Sequence, residues 1–240
     1  MSEDGNTLIA HLEALRWALL RIAAAMILVF PLMYWASPHL VEWLTVWCFP
    51  DGRGLYYFSP MEAFWVQLKL ALVMALMMAY PWNIFQIWRF VLPALYRKER
   101  RALGLWIFFS SVLFAGGIAF CIGLILPVLM KFSGGFATPE LQPVLGLANF
   151  LNLAGWLMLA FGVMFQSPIA VLLAVRFGVI SAETIRRKRP YVMTGILIAA
   201  AILTPPDIVS QVMLAVPTWL LFELGLILAG KMEERQNEQA

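Results

Sequence analysis

The sequence predicts an all-α integral membrane protein with six transmembrane helices. Apolar residues make up 62% of its 240 residues and charged residues 13%, whereas soluble domains average about 45–50% and about 25%. Six apolar stretches are separated by polar connections, and the lysines and arginines concentrate in alternate connections, as in multi-pass membrane proteins. Because no polar segment is long enough for a soluble domain, we expect residues 1–240 to form a single integral membrane domain.

The span boundaries follow from the lengths of the apolar stretches. A helix that crosses the hydrocarbon core needs about 20 apolar residues, and the first four stretches meet this length. The last two are separated by Thr204-Pro205-Pro206-Asp207, where two prolines without N–H donors stop a helix. We therefore expect a tight helical hairpin with two short spans. The predicted spans are 17–37, 64–88, 103–131, 151–175, 191–204 and 210–230, followed by a tail over 231–240.

The predicted spans differ in length. At 1.5 Å per residue, span 103–131 would extend about 43 Å and span 191–204 about 21 Å. Because a hydrocarbon core is about 30 Å thick, we expect the longer helix to tilt, protrude or bend near Gly123 or Pro127. Such unequal neighbours favour a wedge-shaped protein or a locally thinned bilayer.

Three helix starts carry capping signals. Ser59-Pro60-Met61-Glu62 places a capping residue, a proline and a glutamate in the order that predicts a capping box at span two. Thr138-Pro139-Glu140 repeats the pattern before span four. Asp207 is expected to cap span six, because a carboxylate is favoured at the positive end of a helix dipole. We expect structural roles for Glu62 and Asp207, both on the outer side.

The basic residues predict the orientation. Positive charge is retained on the cytoplasmic side, so both termini are expected in the cytoplasm. Of the 17 lysines and arginines, only Arg53, Lys69 and Lys131 fall on the other side. A cleaved signal peptide is not expected, because Pro31 interrupts the first apolar stretch and no small-x-small cleavage site follows.

The sequence offers little support for catalysis. It contains no Gly-x-x-x-x-Gly-Lys-Ser/Thr loop for nucleotide phosphates. His11 and His39 would lie about 42 Å apart along a helix, so they cannot share one haem or metal ion. Cys48 and Cys121 have no partner at metal-ligand spacing. We expect no enzyme, catalytic residue, metal or cofactor, and no nucleic-acid partner.

The sequence disfavours two other membrane functions. A small-solute transporter would be expected to carry a broken, polar helix pair at the membrane midplane, and the sequence has no inverted repeat or midplane charge pair. A scaffold subunit of a respiratory complex would carry cofactor ligands at depth, and none is evident. Both functions are disfavoured.

Two polar side chains lie within apolar stretches. Glu223 is the clearest titratable group there, and such groups are often functional. Because it lies about two turns from Lys231, snorkelling or pairing near the cytoplasmic surface is an equally open interpretation. Gln166, in the middle of span four, cannot titrate but needs a hydrogen-bond partner.

Three cytoplasmic segments carry recognisable patterns. Residues 6–16 place leucine and isoleucine on one face and predict an amphipathic helix at the interface, in which Glu13 and Arg16 could pair. In the second segment, a single carboxylate, Glu99, lies among four basic residues and could be paired internally. The third segment is the basic run 186–189.

Taken together, these segments resemble the TatC family, the central membrane subunits of the twin-arginine protein translocase. The resemblance extends over nearly the whole chain, and its specificity comes from the order and spacing of the motifs. The motifs are His11-Leu12-Glu13-Ala14-Leu15-Arg16, Ser59-Pro60-Met61-Glu62, Pro93-Ala94-Leu95-Tyr96 through Glu99-Arg100, Phe161-Gly162 through Pro168, Lys188-Arg189-Pro190-Tyr191, Thr204-Pro205-Pro206-Asp207 and Phe222-Glu223.

The resemblance implies a receptor for signal peptides that carry paired arginines. Such a receptor helps to move folded proteins across the bacterial cytoplasmic (inner) membrane, driven by the proton-motive force. It implies single-span partners of the TatA and TatB types, self-association in a receptor complex, and contact with membrane lipid. It also implies a concave bundle of tilted helices.

The resemblance assigns peptide binding to two cytoplasmic glutamates. One matches Glu99, next to Arg100. The other belongs to a His-Leu-x-Glu-Leu-Arg pattern, in which this chain has Ala14 and places Glu13 about 100° away around the helix. Either Glu13 substitutes for the family residue, with Leu12 and Arg16 beside it, or binding relies more heavily on Glu99.

A second departure from the family concerns span four. Many members carry a glutamate where this chain has Gln166. A neutral amide costs less than a charge inside a membrane, so we expect a polar rather than an ionic role there.

Overall fold

The computed structural model describes residues 3–50, 54–91, 100–135, 144–204 and 208–238, and these are almost entirely helical. Thr138-Pro139-Glu140 and Asp207, for which capping roles are expected, lie outside the described residues. The elements are α1 (Glu3–Cys48), α2 (Pro60–Met78), α3 (Tyr80–Val91), α4 (Arg100–Phe120), a π segment (Cys121–Ile125), α5 (Leu126–Gly134), α6 (Leu147–Met164), α7 (Ser167–Arg176), α8 (Ala182–Arg187), α9 (Arg189–Leu203) and α10 (Ile208–Glu238).

The helices confirm the six spans. Five apolar stretches are long enough to cross a bilayer, and α9 is a shorter apolar helix at the position of the fifth span. At 1.5 Å per residue, the 15 residues of α9 extend about 22 Å, as expected. The five long stretches are Leu12–Cys48, Pro60–Met78, Gly104–Gly134, Leu147–Arg176 and Ile208–Glu234.

The sixth helix is longer than expected. Its apolar run ends near residue 230, but α10 continues to Glu238 and contains 31 residues. The polar extension is rich in good helix formers such as lysine, glutamate and glutamine. It also contacts the connection between the fourth and fifth spans, because Glu233 accepts a hydrogen bond from the backbone of Ala182. The expectation of a short sixth span was therefore wrong for the helix as a whole.

The first helix is also longer than span 17–37. Helix α1 runs without a break from Glu3 to Cys48, so the amphipathic segment 6–16 is continuous with the first span. Pro38, which lacks an N–H group, leaves the carbonyl of Tyr34 without its usual helical donor. The buried Ser37 hydroxyl donates to that carbonyl at 2.8 Å. This replacement bond explains why the helix passes through Pro38.

Two local departures from α-helical geometry directly precede prolines. The turn at Ala79 that separates α2 from α3 precedes Pro81. The π segment includes Gly123 and ends before Pro127, and the N–H of Leu126 bonds to the carbonyl of Cys121, five residues earlier. A π-bulge therefore lies where the sequence suggests that this span could bend, and the bend itself stays a prediction.

The capping box at α2 forms only in part. Ser59 is the residue that precedes α2 and Pro60 opens the helix, but the Ser59 side chain makes no capping bond. The N–H of Glu62 instead donates to the Ser59 backbone carbonyl at 3.0 Å. Because a backbone oxygen already satisfies this donor, the hydroxyl of Ser59 is not needed for it.

The chain forms two compact units, Met1–Trp43 with Ser59–Ser111 and Leu44–Phe58 with Val112–Ala240. In the first unit, α2 buries Val66 and Leu70. The Tyr80 hydroxyl lies 3.0 Å from that of Ser110. The assignment of a single domain to 1–240 stays a prediction.

In the second unit, α6 supplies much of the buried core. Its inner face includes Phe150, Leu157 and Phe161, all almost completely inaccessible to solvent. The Phe161 ring packs against those of Phe120 and Phe165, with centroids 5.8 Å and 6.3 Å away. This aromatic cluster connects the end of α4 to the end of α6.

Glycines allow the closest helix contacts of the second unit. A Cβ on Gly117 would stand 2.6 Å from the Phe161 carbonyl oxygen, and one on Gly225 would stand 2.6 Å from the Cα of Pro168. Such distances require a backbone shift. Because the hydrophobic effect does not drive helices together inside a bilayer, close backbone contact of this kind is a main source of helix packing energy.

We expect Gly225→Ala to lower the thermal unfolding temperature in detergent, because the new methyl group would push α10 away from α7 at Pro168. Overpacking of this type costs about 1–3 kcal/mol. Gly195→Ala in α9 is the matched control, since nothing lies within 4 Å of its added Cβ. Equal unfolding temperatures for Gly225→Ala and the unaltered chain would contradict the packing role.

Candidate functional site

The N-terminal candidates lie together in α1. Leu12 is 63% exposed, and Glu13, Ala14 and Arg16 are exposed as well. Among the described side chains, Glu13 and Arg16 form no ion pair with each other. The Glu13 carboxylate is therefore accessible, although it points about 100° away from the direction of position 14.

The second candidate cluster is only partly described. Glu99 lies outside the described residues, and Arg100 is the first residue of α4, with its side chain also outside the described part. The assignment of both to peptide binding stays a prediction.

Gln166 lies at the break between α6 and α7. Pro168 cannot donate to the backbone, and the N–H of Gln166 bonds to the carbonyl of Val163 rather than to that of Gly162. The Gln166 side-chain amide donates to the Gly162 carbonyl instead, across 3.4 Å. One hydrogen-bond partner of this polar side chain is thus a carbonyl of the preceding helix, α6.

Glu223 is paired with Arg189. The Arg189 Nη2 atom lies 2.7 Å from Glu223 Oε2, and their side chains are 46% and 19% exposed. Glu223 is therefore paired, but its partner is Arg189 and not Lys231, and a functional role of Glu223 stays a prediction. The bond joins the first residue of α9 to the middle of α10.

Helix α8 is attached to α10 by polar contacts. The Ser181 hydroxyl caps α8 by accepting from the N–H of Thr184 at 3.2 Å, and Glu233 Oε2 accepts from the N–H of Ala182 at 2.9 Å. The Arg186 guanidinium lies over the bare backbone of Gly230, where a Cβ would stand 3.1 Å from Nη2. These contacts fix the basic run beside the polar end of α10.

One further pair in α8 is much more exposed. Arg187 Nη2 lies 2.6 Å from Glu183 Oε1, with the two side chains 79% and 73% accessible. An ion pair this exposed contributes little to stability, about 0–1 kcal/mol. It serves as a useful reference for the partly buried pair at Glu223.

The remaining candidate, Glu62, lies in the first turn of α2 and is partly buried, which agrees with a structural role. Among the described residues, no group of three or more histidine, cysteine, aspartate or glutamate side chains could hold a metal ion.

Several of these contacts were missed by sequence reasoning. Arg189 was singled out only within the basic run and the motif Lys188-Arg189-Pro190-Tyr191, without a partner, and Glu233 was not singled out. A local signal existed for Ser37, because a serine directly before a proline can replace the missing helical donor. No local signal existed for Arg189, since its partner lies 34 residues further along the chain.

The similarity to known proteins covers almost the whole chain. Residues 10–217 match the family described as Sec-independent protein translocase protein (TatC). The chain is 35% identical to the Sec-independent protein translocase protein TatC of Escherichia coli K12, covering 98% of this chain and 94% of that protein. It is 34% identical to the Haemophilus influenzae protein of the same name, with 99% and 94% covered.

The fold is also similar to a solved structure. The crystal structure of the twin-arginine translocase receptor TatC in the detergent DDM superposes with a TM-score of 0.82 and 29% identity, covering 91% of this chain and 99% of that chain. The resemblance inferred from the motifs is thereby confirmed, and the multi-pass membrane protein described above belongs to the TatC family of Sec-independent protein translocase proteins.

Proposed function

We propose that this chain is the signal-peptide receptor of a twin-arginine translocase, which supports transport of folded proteins across a bacterial cytoplasmic membrane. The observation that carries the proposal is the near full-length similarity to TatC proteins, one of which is a solved translocase receptor. Six helical spans and the absence of catalytic motifs are consistent with a transport subunit rather than an enzyme.

Both termini are proposed to face the cytoplasm. The support is the distribution of basic residues, which leaves only Arg53, Lys69 and Lys131 outside. With this orientation, α1 begins, α8 lies and α10 ends on the cytoplasmic side, where a signal peptide arrives.

Recognition of the paired arginines is proposed to rest on the carboxylates of Glu99 and Glu13. A guanidinium group is planar and permanently charged, and it binds a carboxylate through two parallel hydrogen bonds. The ammonium group of lysine cannot form this fork. Leu12 offers an apolar contact for the peptide, while Arg16 and Arg100 flank the two carboxylates.

The energy source is proposed to act through partners rather than through this chain alone. One charge that crosses 100 mV yields about 2.3 kcal/mol, but the apolar stretches contain almost no titratable groups from which to build a proton relay. We therefore propose that coupling to the proton-motive force occurs in complexes with single-span TatA- and TatB-type subunits, in which the chain also self-associates.

Gln166 is proposed to act as a neutral polar group at the break in the fourth span. Its amide replaces a backbone donor to Gly162 while remaining partly exposed. A polar group at this depth favours entry of water or of polar peptide segments.

We predict that Glu99→Ala abolishes photocrosslinking between position 100 or its neighbours and a peptide with paired arginines, because the guanidinium loses its carboxylate. Glu99→Asp is the conservative control and should retain part of the signal. The measurement is site-specific crosslinking in membrane vesicles with and without a precursor protein. Undiminished crosslinking in Glu99→Ala would rule out this residue as an arginine ligand.

The role of the N-terminal carboxylate is tested by two opposite changes. Glu13→Ala should weaken peptide binding by about tenfold, the effect of losing one charge-assisted hydrogen bond. Ala14→Glu should strengthen it by adding a carboxylate at the position that the family pattern specifies. If neither variant alters the half-saturating peptide concentration, the first turns of α1 are not part of the site.

Gln166→Leu should reduce transport while leaving membrane insertion unchanged, because the side chain can no longer donate to the Gly162 carbonyl. Gln166→Glu, which introduces the residue found in many family members, keeps a polar group at this position and in its protonated form a donor for the same carbonyl, so it should preserve transport. Export of a folded reporter and carbonate extraction of the membranes measure the two properties. Full export by Gln166→Leu would show that no polar group is needed at this position.

A further inference from the structure

Glu223 combines two properties that are rarely found together in an apolar helix. Its side chain is 19% exposed, so the carboxylate remains partly accessible, yet it holds a guanidinium group at 2.7 Å. Its helix, α10, otherwise carries apolar side chains around this position, with Phe222 and Leu226 buried. The site is thus a carboxylate with an apolar surround that already binds an arginine side chain.

The depth of this site follows from the lengths of α9 and α10. Arg189 is the first residue of α9, and Glu223 lies about 22 Å along α10 from Ile208 at 1.5 Å per residue. Beyond Glu223, the helix continues toward the charged residues that begin at Lys231. The ion pair therefore lies at the boundary between the apolar part of the hairpin and its polar end.

We propose that Glu223 binds a guanidinium group of the signal peptide, and that Arg189 occupies this carboxylate while no peptide is bound. The inference rests on the proposed receptor function and adds one peptide-binding residue of the second unit to it. Arg189 acts as an internal substitute for the peptide, because its side chain offers the same planar, forked set of donors.

Exchange of one guanidinium for another at this site is physically reasonable. The bonds lost by Glu223 are replaced by equivalent bonds, so its charge stays paired throughout. Arg189 is 46% exposed, so its release does not require the side chain to be drawn out of a packed core. Its nearest neighbours in the chain, Lys188 and Arg187, carry the same charge, and this repulsion favours its release.

The same contact could instead be purely structural, holding the start of α9 against α10. The two roles predict different signs for variants at the two ends of the pair. A structural pair is broken equally by Arg189→Ala and by Glu223→Gln, and both would weaken peptide binding or leave it unchanged. An internal competitor predicts that removing Arg189 strengthens binding, whereas removing the Glu223 charge weakens it.

The experiment measures the half-saturating concentration of a photocrosslinkable peptide with paired arginines, using the full-length chain in membrane vesicles. We expect Arg189→Ala to lower this concentration by about tenfold and Glu223→Gln to raise it by about tenfold, the effect of one charge-assisted hydrogen bond. A peptide with paired lysines should respond little to either variant. If both variants weaken binding of the arginine peptide, or neither changes it, the proposal is overturned.

The exposed pair in α8 provides matched controls. Arg187→Ala and Glu183→Gln make the same changes in net charge within a pair that is mostly exposed, and both should leave the binding curve unchanged. Equal strengthening by Arg187→Ala and Arg189→Ala would reveal general repulsion of the peptide and would overturn the proposal. If Glu223→Gln fails to fold, the sign of the Arg189→Ala effect still decides.

Glu99→Gln separates this inference from the proposed function. Suppose that Glu99→Gln loses peptide binding while both variants of the Arg189–Glu223 pair bind normally. The receptor function would then be retained, and Glu223 would have no part in peptide binding. If the unaltered chain binds the arginine peptide and the lysine peptide equally well, both the proposed receptor function and the role of Glu223 are contradicted.

Discussion

The need to satisfy every backbone hydrogen-bonding group inside a bilayer shapes this protein more than any single side-chain contact. No water is present in the hydrocarbon core to bond a free carbonyl, yet several helices contain prolines, each of which removes one donor. The chain responds with local replacements. Ser37 donates to the carbonyl that Pro38 leaves open, and a π segment precedes Pro127. These replacements keep the helices continuous where the sequence alone suggests an end.

The same constraint gives Gln166 a clear physical role. The turn between α6 and α7 deprives the Gly162 carbonyl of its backbone donor, and the side-chain amide of Gln166 takes its place. A glutamate, where many family members carry one, could do this only when protonated, because an ionised carboxylate has no hydrogen to donate. The neutral amide therefore stabilises the break at any pH, and the break places a polar group at a depth where the membrane contains few.

The sequence was sufficient for the number and order of the spans because both depend on long apolar runs and on the distribution of lysine and arginine. It was less informative about helix ends. Span 17–37 is shorter than α1, which continues through Pro38 with the help of the bond from Ser37. Helix α10 was placed too short because the apolar run, which ends near residue 230, is not what ends the helix; contacts such as the bond between Glu233 and Ala182 support its continuation.

For the candidate site, too, the sequence identified some residues and could not identify their partners. Motifs alone drew attention to Glu13, Glu99 and Glu223, since a carboxylate among basic or apolar residues stands out in any sequence. The partner of Glu223 could not be found in this way, because Arg189 lies on another helix and resembles its basic neighbours. Only the packing of α9 on α10 distinguishes it.

The pairing of these arginines helps to explain how a receptor with several basic surface residues can attract a peptide that carries two further arginines. Guanidinium groups repel one another unless carboxylates lie between them, so each arginine in the basic run either needs a counter-charge or opposes binding. Arg187 has Glu183 and Arg189 has Glu223, which limits the repulsion that an arriving peptide meets. A carboxylate whose guanidinium partner comes from its own chain is also one for which a second guanidinium can compete, and partial exposure of the Arg189–Glu223 pair makes that competition possible at the membrane surface.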